Sequence, residues 1–357
     1  MSRLREIQLE TPVYHETCLG ILKLLSETAL ARKNIALSRA AWDAYCRRFE
    51  AVEEARKAPW EAFSDKVMED LTAPSLFCVG QPGAGKTYAI KMAIRSYPDL
   101  FPGYGERFSD CPIVTFNANS QGTHRSLGEH ILEEAGLNPR TSLVNTKVWN
   151  MVIRNWEASG RYIIHIDDSY RIGRSASKSE FVGIRDKFAE IQDWKGCPFG
   201  LLISSTPEIA PLFETEGGMF RRLNATVHFK PMSDVELTTS IRPLIARYAA
   251  VYGLKIDLPE DAEFVFRHGH ACNRAFGRSV EIIMDAVNLA LTSQDRTIRV
   301  ASFADALHRR YAWPALANPY LATQWWKIDV QKLLGNALEA TTEVGVAADR
   351  QKGSRRS

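Results

Sequence analysis

No apolar run in the 357 residues approaches the roughly 18 that a membrane-crossing helix requires. The opening Met1-Ser2-Arg3-Leu4-Arg5-Glu6 leads into no apolar core of the secretory type. Cysteine is scarce: six residues, at 18, 46, 78, 111, 197 and 272, none of them in a C-x-x-C pair. That spacing argues against a zinc ribbon or a dithiol redox motif, and the thiols read as reduced, several of them buried. Charge of one sign is not in excess either, with 45 Lys and Arg against 42 Asp and Glu and a net charge of +3. Bulk charge therefore neither demands nor forbids nucleic acid, and any such contact must come from a local patch. There is no internal repeat. These absences together predict a soluble, cytoplasmic protein with no membrane partner.

What the chain does have is 45% hydrophobic residues, enough for a large core with a smaller satellite. Residues 14–70 read as helical, with Leu19, Leu22, Leu25 and Leu30 and then Trp42, Tyr45, Phe49 and Val52 at three- and four-residue steps. That stripe reads first as a packed helix face and second as a partner-docking arm. Ser75–Val79 is a short apolar run without helical period, as expected of a buried parallel strand. A helix is predicted from Lys86 to about Tyr97, stopped by Pro98. Further strands are predicted at Pro112–Asn117, Tyr162–Ile166, Phe199–Ser204 and Thr226–Phe229, with helices near Leu127–Ala135 and Lys147–Ala158. Strands alternating with helices predict a doubly wound α/β domain. From about Ser233 the strand patterns stop and helical ones continue to Leu338. The expected divisions are an N-terminal helical segment over 1–70, an α/β domain over 71–232, a helical part over 233–310, a C-terminal helical segment over 311–340 and a disordered basic tail over 341–357.

Between the first strand and its helix lies Gly80-Gln81-Pro82-Gly83-Ala84-Gly85-Lys86-Thr87, the pattern G-x-x-x-x-G-K-[ST]. The glycines let successive backbone amides converge on phosphates, and the helix that follows turns its positive end toward them. Lys86 is expected to reach the β- and γ-phosphates, Thr87 to place its hydroxyl on Mg²⁺, and Tyr88 to adjoin the site. Pro82 lacks an N–H, so the amides from Gly83 onward carry the cradle. Ile163-Ile164-His165-Ile166-Asp167-Asp168 is an apolar strand ending in two carboxylates, and it resembles a Walker B motif, with Asp167 expected to hold Mg²⁺. ATP and Mg²⁺ are the cofactors this pair of motifs implies.

The arrangement of further segments resembles the AAA+ ATPases, and the fold this implies is an AAA+ P-loop domain with a parallel five-stranded sheet, an N-terminal helical segment and a C-terminal helical lid. Ser204-Ser205-Thr206-Pro207-Glu208 falls where AAA+ proteins keep sensor 1, with Thr206 or Ser205 the candidate. Gly217–Leu223 falls where they present an arginine finger, with Arg221 and Arg222 both open for the role; two solvated arginines at a helix end are the alternative. Cys272–Glu281 falls at the start of a lid helix where sensor 2 arginines sit, Arg278 the first choice and Arg274 the second. Asp168 departs from the glutamate usual at its position. It is one methylene shorter, and slow hydrolysis is the expected consequence.

At family level, Val114–Ser120 leading through Leu127–Leu137, the strand end Leu202–Ile209, Met219–Leu223 and Phe229-Lys230-Pro231-Met232-Ser233 look like segments of the TniB/TnsC group of transposition ATPases. The resemblance covers roughly residues 70–295. It implies a homo-oligomer, a ring or helical filament, that assembles on double-stranded DNA when loaded with ATP. It also implies partners, a DDE transposase and a target-selection factor of the TniQ or TnsD kind. Members of that group touch DNA with loops after the second strand and after Walker B, which here carry His124 and Arg125, and Arg171, Arg174 and Lys178. Phosphate contacts without sequence preference suit that basic stretch; a merely solvated basic loop is the alternative. A replication- or repair-associated loader and a nucleotide-gated DNA scaffold with little hydrolysis remain as competing readings. Trp313 and Trp325-Trp326 read as core indoles or as a docking surface.

Overall fold

The computed structural model describes residues 11–53, 60–69, 72–106, 110–118, 123–134, 137, 145–175, 177–194, 197–208 and 223–335. These fall into two compact units. One runs from the N-terminal helices to Phe229, except for three residues of the glycine-rich loop; the other holds those three, Gly83–Gly85, together with the chain from Lys230.

The first unit is built on a five-stranded sheet of β1 (Ser75–Gly80), β2 (Ile113–Asn117), β3 (Ile163–Asp167), β4 (Gly200–Ser205) and β5 (Leu223–Phe229). Their order is β2-β3-β4-β1-β5, and every pairing is parallel. The doubly wound sheet is therefore as expected, with β3 and β4 ending one residue later than the sequence pattern predicts and β5 starting three residues earlier. Strands β1, β3 and β4 are buried along their whole length, which parallel strands covered on both faces require.

One face packs on α5 (His124–Glu134), α6 (Asn145–Ala158) and α8 (Lys178–Gln192). Phe77, Ile164, Ile166, Leu201 and Ile203 from the strands meet Leu127, Trp149, Val152, Trp156, Ile184 and Phe188 from the helices in one buried cluster. The other face carries α1 (Pro12–Ala31) and α4 (Lys86–Arg95). Helix α1 is capped by Thr11, whose hydroxyl accepts from Tyr14 N, with Pro12 at its first turn. It buries Cys18, Ile21, Leu22, Leu24 and Leu25 almost completely. Its approach is close: a Cβ on Gly20 would stand 2.9 Å from the Leu76 methyls, and one on Gly200 would stand 2.4 Å from Thr28 Oγ1. Helix α2 (Ile35–Glu53) is tied back to α1 by reciprocal bonds, Ser26 Oγ donating to Ser38 O at 2.8 Å and Ser38 Oγ to Ser26 O at 2.7 Å. With α3 (Trp60–Glu69) it stacks Trp42 on Phe63 and Tyr45. The helical pattern of 14–70 is thus three helices, and α1 is a layer of the sheet unit.

The second unit contains α9 (Asp234–Tyr252), α10 (Glu263–Ala271), α11 (Phe276–Thr292) and α12 (Val300–Tyr311). Helix α9 opens with a capping box between Ser233 and Glu236 and ends on Gly253 in the left-handed region. Its core joins Leu237, Ile241, Phe264, Ile282, Ile283, Val287, Phe303 and Leu307, all nearly or wholly buried. The expectation that strands stop after Ser233 is corrected here. Two three-residue strands, β6 (Lys255–Asp257) and β7 (Thr297–Arg299), pair in parallel. Each is too short for its alternation to stand out from neighbouring helical patterns. Beyond α12 the chain forms two single 3₁₀ turns, Ala315–Ala317 and Trp325–Lys327, and Trp313 is buried while Trp326 is exposed.

Candidate nucleotide site

Lys86 opens α4 directly after β1, so the loop between them is held at both ends by buried structure. Gly83 and Gly85 take φ of 81° and 96°, a region in which side chains other than glycine are strained. Gly80 must also lack a side chain, since a Cβ there would sit 2.6 Å from Phe229 Cβ. Lys86 Nζ donates to Gly80 O at 2.6 Å and to Gln81 O at 3.2 Å. Burial lowers the Lys86 pKa, and the charges of Asp168 and Asp167 act against that shift. Gln81 Nε2 donates to Glu208 Oε1 at 3.3 Å, and Tyr88 is exposed on the first turn of α4.

Asp167 ends β3, and its carboxylate accepts from Thr87 Oγ1 on both oxygens, at 3.0 and 2.9 Å. This spacing permits a test of the implied metal. Two adjacent ligands of an octahedral Mg²⁺ with bonds of about 2.05 Å stand about 2.9 Å apart. The hydroxyl and the carboxylate therefore fit a shared Mg²⁺. No group of three or more His, Cys, Asp or Glu side chains that could hold a metal occurs among the described residues.

Asp168 has a positive φ of 54° and stands at the junction between β3 and α7 (Tyr170–Ser175), its carbonyl accepting from Arg171 N. Its pKa is raised by burial and then by the charge of Asp167, with Arg171 and Lys86 pulling the other way. Arg171 Nη2 lies 3.8 Å from Asp168 Oδ2. Beneath the carboxylates runs a polar layer that sequence reasoning missed. His165, wholly buried, shares hydrogen bonds with Thr115 Oγ1 at 3.1 Å and with Ser204 Oγ at 3.1 Å, and so bridges β2, β3 and β4. Burial lowers its pKa to about 4. Ser169 N and Oγ both donate to Ser204 O, at 3.0 and 2.8 Å. The only hint in the sequence was a histidine inside an otherwise apolar strand.

Thr206 follows β4 directly and is buried; strand alternation puts it on the face of Ser204. Ser205 belongs to the opposite face, where its buried Oγ has no hydrogen-bond partner among the described residues. Arg221 and Arg222 lie outside the described residues. Arg274 and Arg278 part company within the second unit. Arg274 pairs with Asp234 at 2.6 Å and donates to Met232 O. Arg278 is buried and donates its backbone N–H to Gly83 O at 2.8 Å.

The basic residues expected on loops sit on helices instead. His124 and Arg125 begin α5, Arg171 and Arg174 lie in α7, and Lys178 begins α8, whose cap is Ser177. Ser177 Oγ accepts from Glu180 N, so this serine starts α8 and does not prolong a loop. His124 stacks on Trp149 at 5.3 Å, and Arg125 pairs with Glu129 at 2.7 Å. Arg171 keeps about half of its side chain exposed. The side chains of Arg174 and Lys178 lie outside the described residues.

Residues 69–213 match the AAA domain family. No curated protein matches the chain. Among solved structures, the Aeropyrum pernix ORC2 protein in ADPNP–ADP complexes is similar at 11% identity, over 70% of this chain and 65% of that one, with a TM-score of 0.48. That likeness spans just under two thirds of the ORC2 chain. The Aeropyrum pernix ORC1 protein in complex with DNA is similar at 16% identity, over 74% of this chain and 71% of that one, with a TM-score of 0.49. The Thermotoga maritima RuvB Holliday junction branch migration motor is similar at 13% identity, over 74% and 72%, with a TM-score of 0.40. No helix among the described residues is long and apolar enough to cross a membrane. The parallel sheet and the phosphate loop at the start of α4 agree with that domain match, and residues 69–213 carry an AAA domain of the P-loop type.

Proposed function

We propose that the chain is a slow Mg²⁺-dependent ATPase that assembles on double-stranded DNA when loaded with ATP and regulates transposition in the manner of the TniB/TnsC group. The observation that carries the ATPase part is the convergence of Thr87 Oγ1 on both Asp167 oxygens beside the glycine-rich loop. The transposition part rests on the likeness of the quoted segments to that group. Mg²⁺, when bound, neutralises charge on the phosphate oxygens. The chain's own groups do the rest. Gly83, Ala84 and Gly85 offer backbone amides to the phosphates, and Lys86 exchanges its carbonyl partners for phosphate oxygens. Asp168 orients the attacking water and takes its proton, and Thr206 holds that water or the terminal phosphate. Arg221 or Arg222 acts on a neighbouring subunit's nucleotide, and Arg278 contacts the nucleotide of its own chain. Arg171 meets DNA phosphates.

The test is phosphate release by the full chain with and without DNA, beside electron microscopy with a non-hydrolysable ATP analogue. Slow turnover abolished by Lys86→Ala, together with continuous filaments on DNA, supports the reading. Closed rings without filaments support a loader instead. Turnover that survives Lys86→Ala refutes the assignment of the site.

A further inference from the structure

Within the unit that holds Gly83–Gly85 and the chain from Lys230, two backbone segments meet because both are glycine. A Cβ on Gly83 would stand 3.0 Å from Arg278 Nη2, and one on Gly277 would stand 2.7 Å from both Gly83 O and Gly85 N. The Arg278 guanidinium is held there by its Nη1, which donates to Cys272 O at 2.9 Å. Helix α11 begins two residues earlier with no side-chain cap, after Asn273 and Arg274 with φ of 50° and 54°. Such a start is costly by itself, and something else must hold it.

Ser279, the residue after Arg278, supplies the hold. Its hydroxyl lies 2.5 Å from His268 Nε2, and His268 Nδ1 lies 2.7 Å from the Tyr320 hydroxyl. All three groups are buried. Burial lowers the His268 pKa to about 3, so the ring is neutral, with one donor and one acceptor nitrogen. The two hydroxyls then satisfy both, and the three groups form one polarised chain. Tyr320 lies on the irregular segment after α12, not on a helix. That segment is pinned at its own backbone: Arg267 Nη1 donates to Pro319 O and Ala322 O at 2.8 Å, and Asn318 Nδ2 donates to Ala304 O at 2.9 Å.

We propose that Tyr320, acting through His268 and Ser279, is a positioning residue that sets Arg278 against the phosphate loop, so that the segment 318–322 governs how well the site tells ATP from ADP. The proposal rests on the reading of Arg278 as a nucleotide-contacting residue. Tyr320 touches no nucleotide. Its hydroxyl fixes the ring plane of His268, the ring fixes Ser279, and Ser279 fixes the first turn of α11 from which Arg278 projects. The observation that sets this apart from an ordinary buried polar cluster is its end point, one residue from a guanidinium that leans on a loop glycine.

The experiment uses the full chain and fluorescent mant-ATP and mant-ADP, with thermal melting recorded for every variant. Arg278→Ala is expected to reduce the ratio of ATP to ADP affinity by about tenfold, within the range of ordinary coupling free energies. Tyr320→Phe is expected to reduce the same ratio by about fivefold while mant-ADP affinity changes little. Adding Tyr320→Phe to Arg278→Ala is expected to produce no further loss, because both act at one group. If Tyr320→Phe fails to fold, Ser279→Ala, which removes one hydroxyl beside Arg278, provides the same readout. A Tyr320→Phe or Ser279→Ala variant that melts lower yet keeps the wild-type ratio, while Arg278→Ala loses it, overturns the positioning role. An Arg278→Ala variant with an unchanged ratio overturns the underlying reading of Arg278 instead.

Discussion

Lengthening Asp168 by one methylene tests both the geometry and the assignment of the hydrolytic group. The residue follows the Mg²⁺-ligand candidate Asp167 directly, and its φ of 54° aims it from a left-handed turn. One added C–C bond extends its reach by about 1.5 Å. A misplacement of about 1 Å in a catalytic group can cost on the order of 100-fold in rate, which is about 2.7 kcal/mol in the barrier. If Asp168 falls short of the attacking water by that distance, Asp168→Glu recovers up to about 100-fold in kcat with little change in KM. Stability moves the other way. Aspartate tolerates a left-handed backbone better than most residues, so glutamate there costs up to about 1 kcal/mol. Steady-state phosphate release at saturating ATP and Mg²⁺, beside a thermal melt, reads both effects. A folded Asp168→Glu variant with no gain in kcat refutes the reasoning, because reach would then not limit the reaction.

Other outcomes follow from the same geometry. Gly277→Ala is expected to weaken binding of fluorescent ATP, since its Cβ would stand 2.7 Å from Gly83 O and Gly85 N, and isothermal titration measures the loss. Gly200→Ala is expected to destabilise the sheet unit by about 1–3 kcal/mol through overpacking against Thr28 Oγ1; Thr28→Ala, which removes the clashing atom, should restore part of it in urea unfolding. His268 carries a pH dependence. Its folded pKa, lowered by burial to about 3, lies below the ordinary value near 6.5, so the unfolded chain takes the proton first. The stability it contributes is complete above about pH 6.5 and is lost as pH falls toward 3, on the order of 1 kcal/mol by pH 5.5. Urea unfolding at pH 7.5 and 5.5 measures the difference, and His268→Gln is expected to shrink it. Arg171→Ala removes a cation that lowers the Asp168 pKa, so the acid limb of activity, below which the Asp168 carboxylate is protonated, is expected to move to higher pH in a pH–rate profile.

The legible parts of the sequence were those in which backbone demands are local. The phosphate loop needs glycines at left-handed positions, and Gly83 and Gly85 are there. Strands β1, β3 and β4 announced themselves by short apolar runs because both of their faces are covered. Three features were not legible. The first is the docking of α1 on β1 and β4, which depends on Gly20 and Gly200 meeting Leu76 and Thr28 across long separations. Next is the layer joining Thr115, His165 and Ser204, three residues from three strands brought together only by register. The third is the division between Arg274 and Arg278. Sequence placed Arg274 and Arg278 on one short stretch, and the structure gives Arg274 to Asp234 and Arg278 to Gly83. The basic segment after β3 misled in one respect, since Ser177 reads as loop composition but serves as a helix cap.

The most direct measurement of the central claim is the affinity of the full chain for fluorescein-labelled double-stranded DNA with ATP and Mg²⁺, with ADP and Mg²⁺, and with no nucleotide, across a salt series. Tight binding is expected only with ATP and Mg²⁺, with a steep fall with salt as phosphate contacts release counterions, and with loss of the ATP effect in Asp167→Asn. Equal DNA affinity in all three nucleotide conditions would contradict the claim.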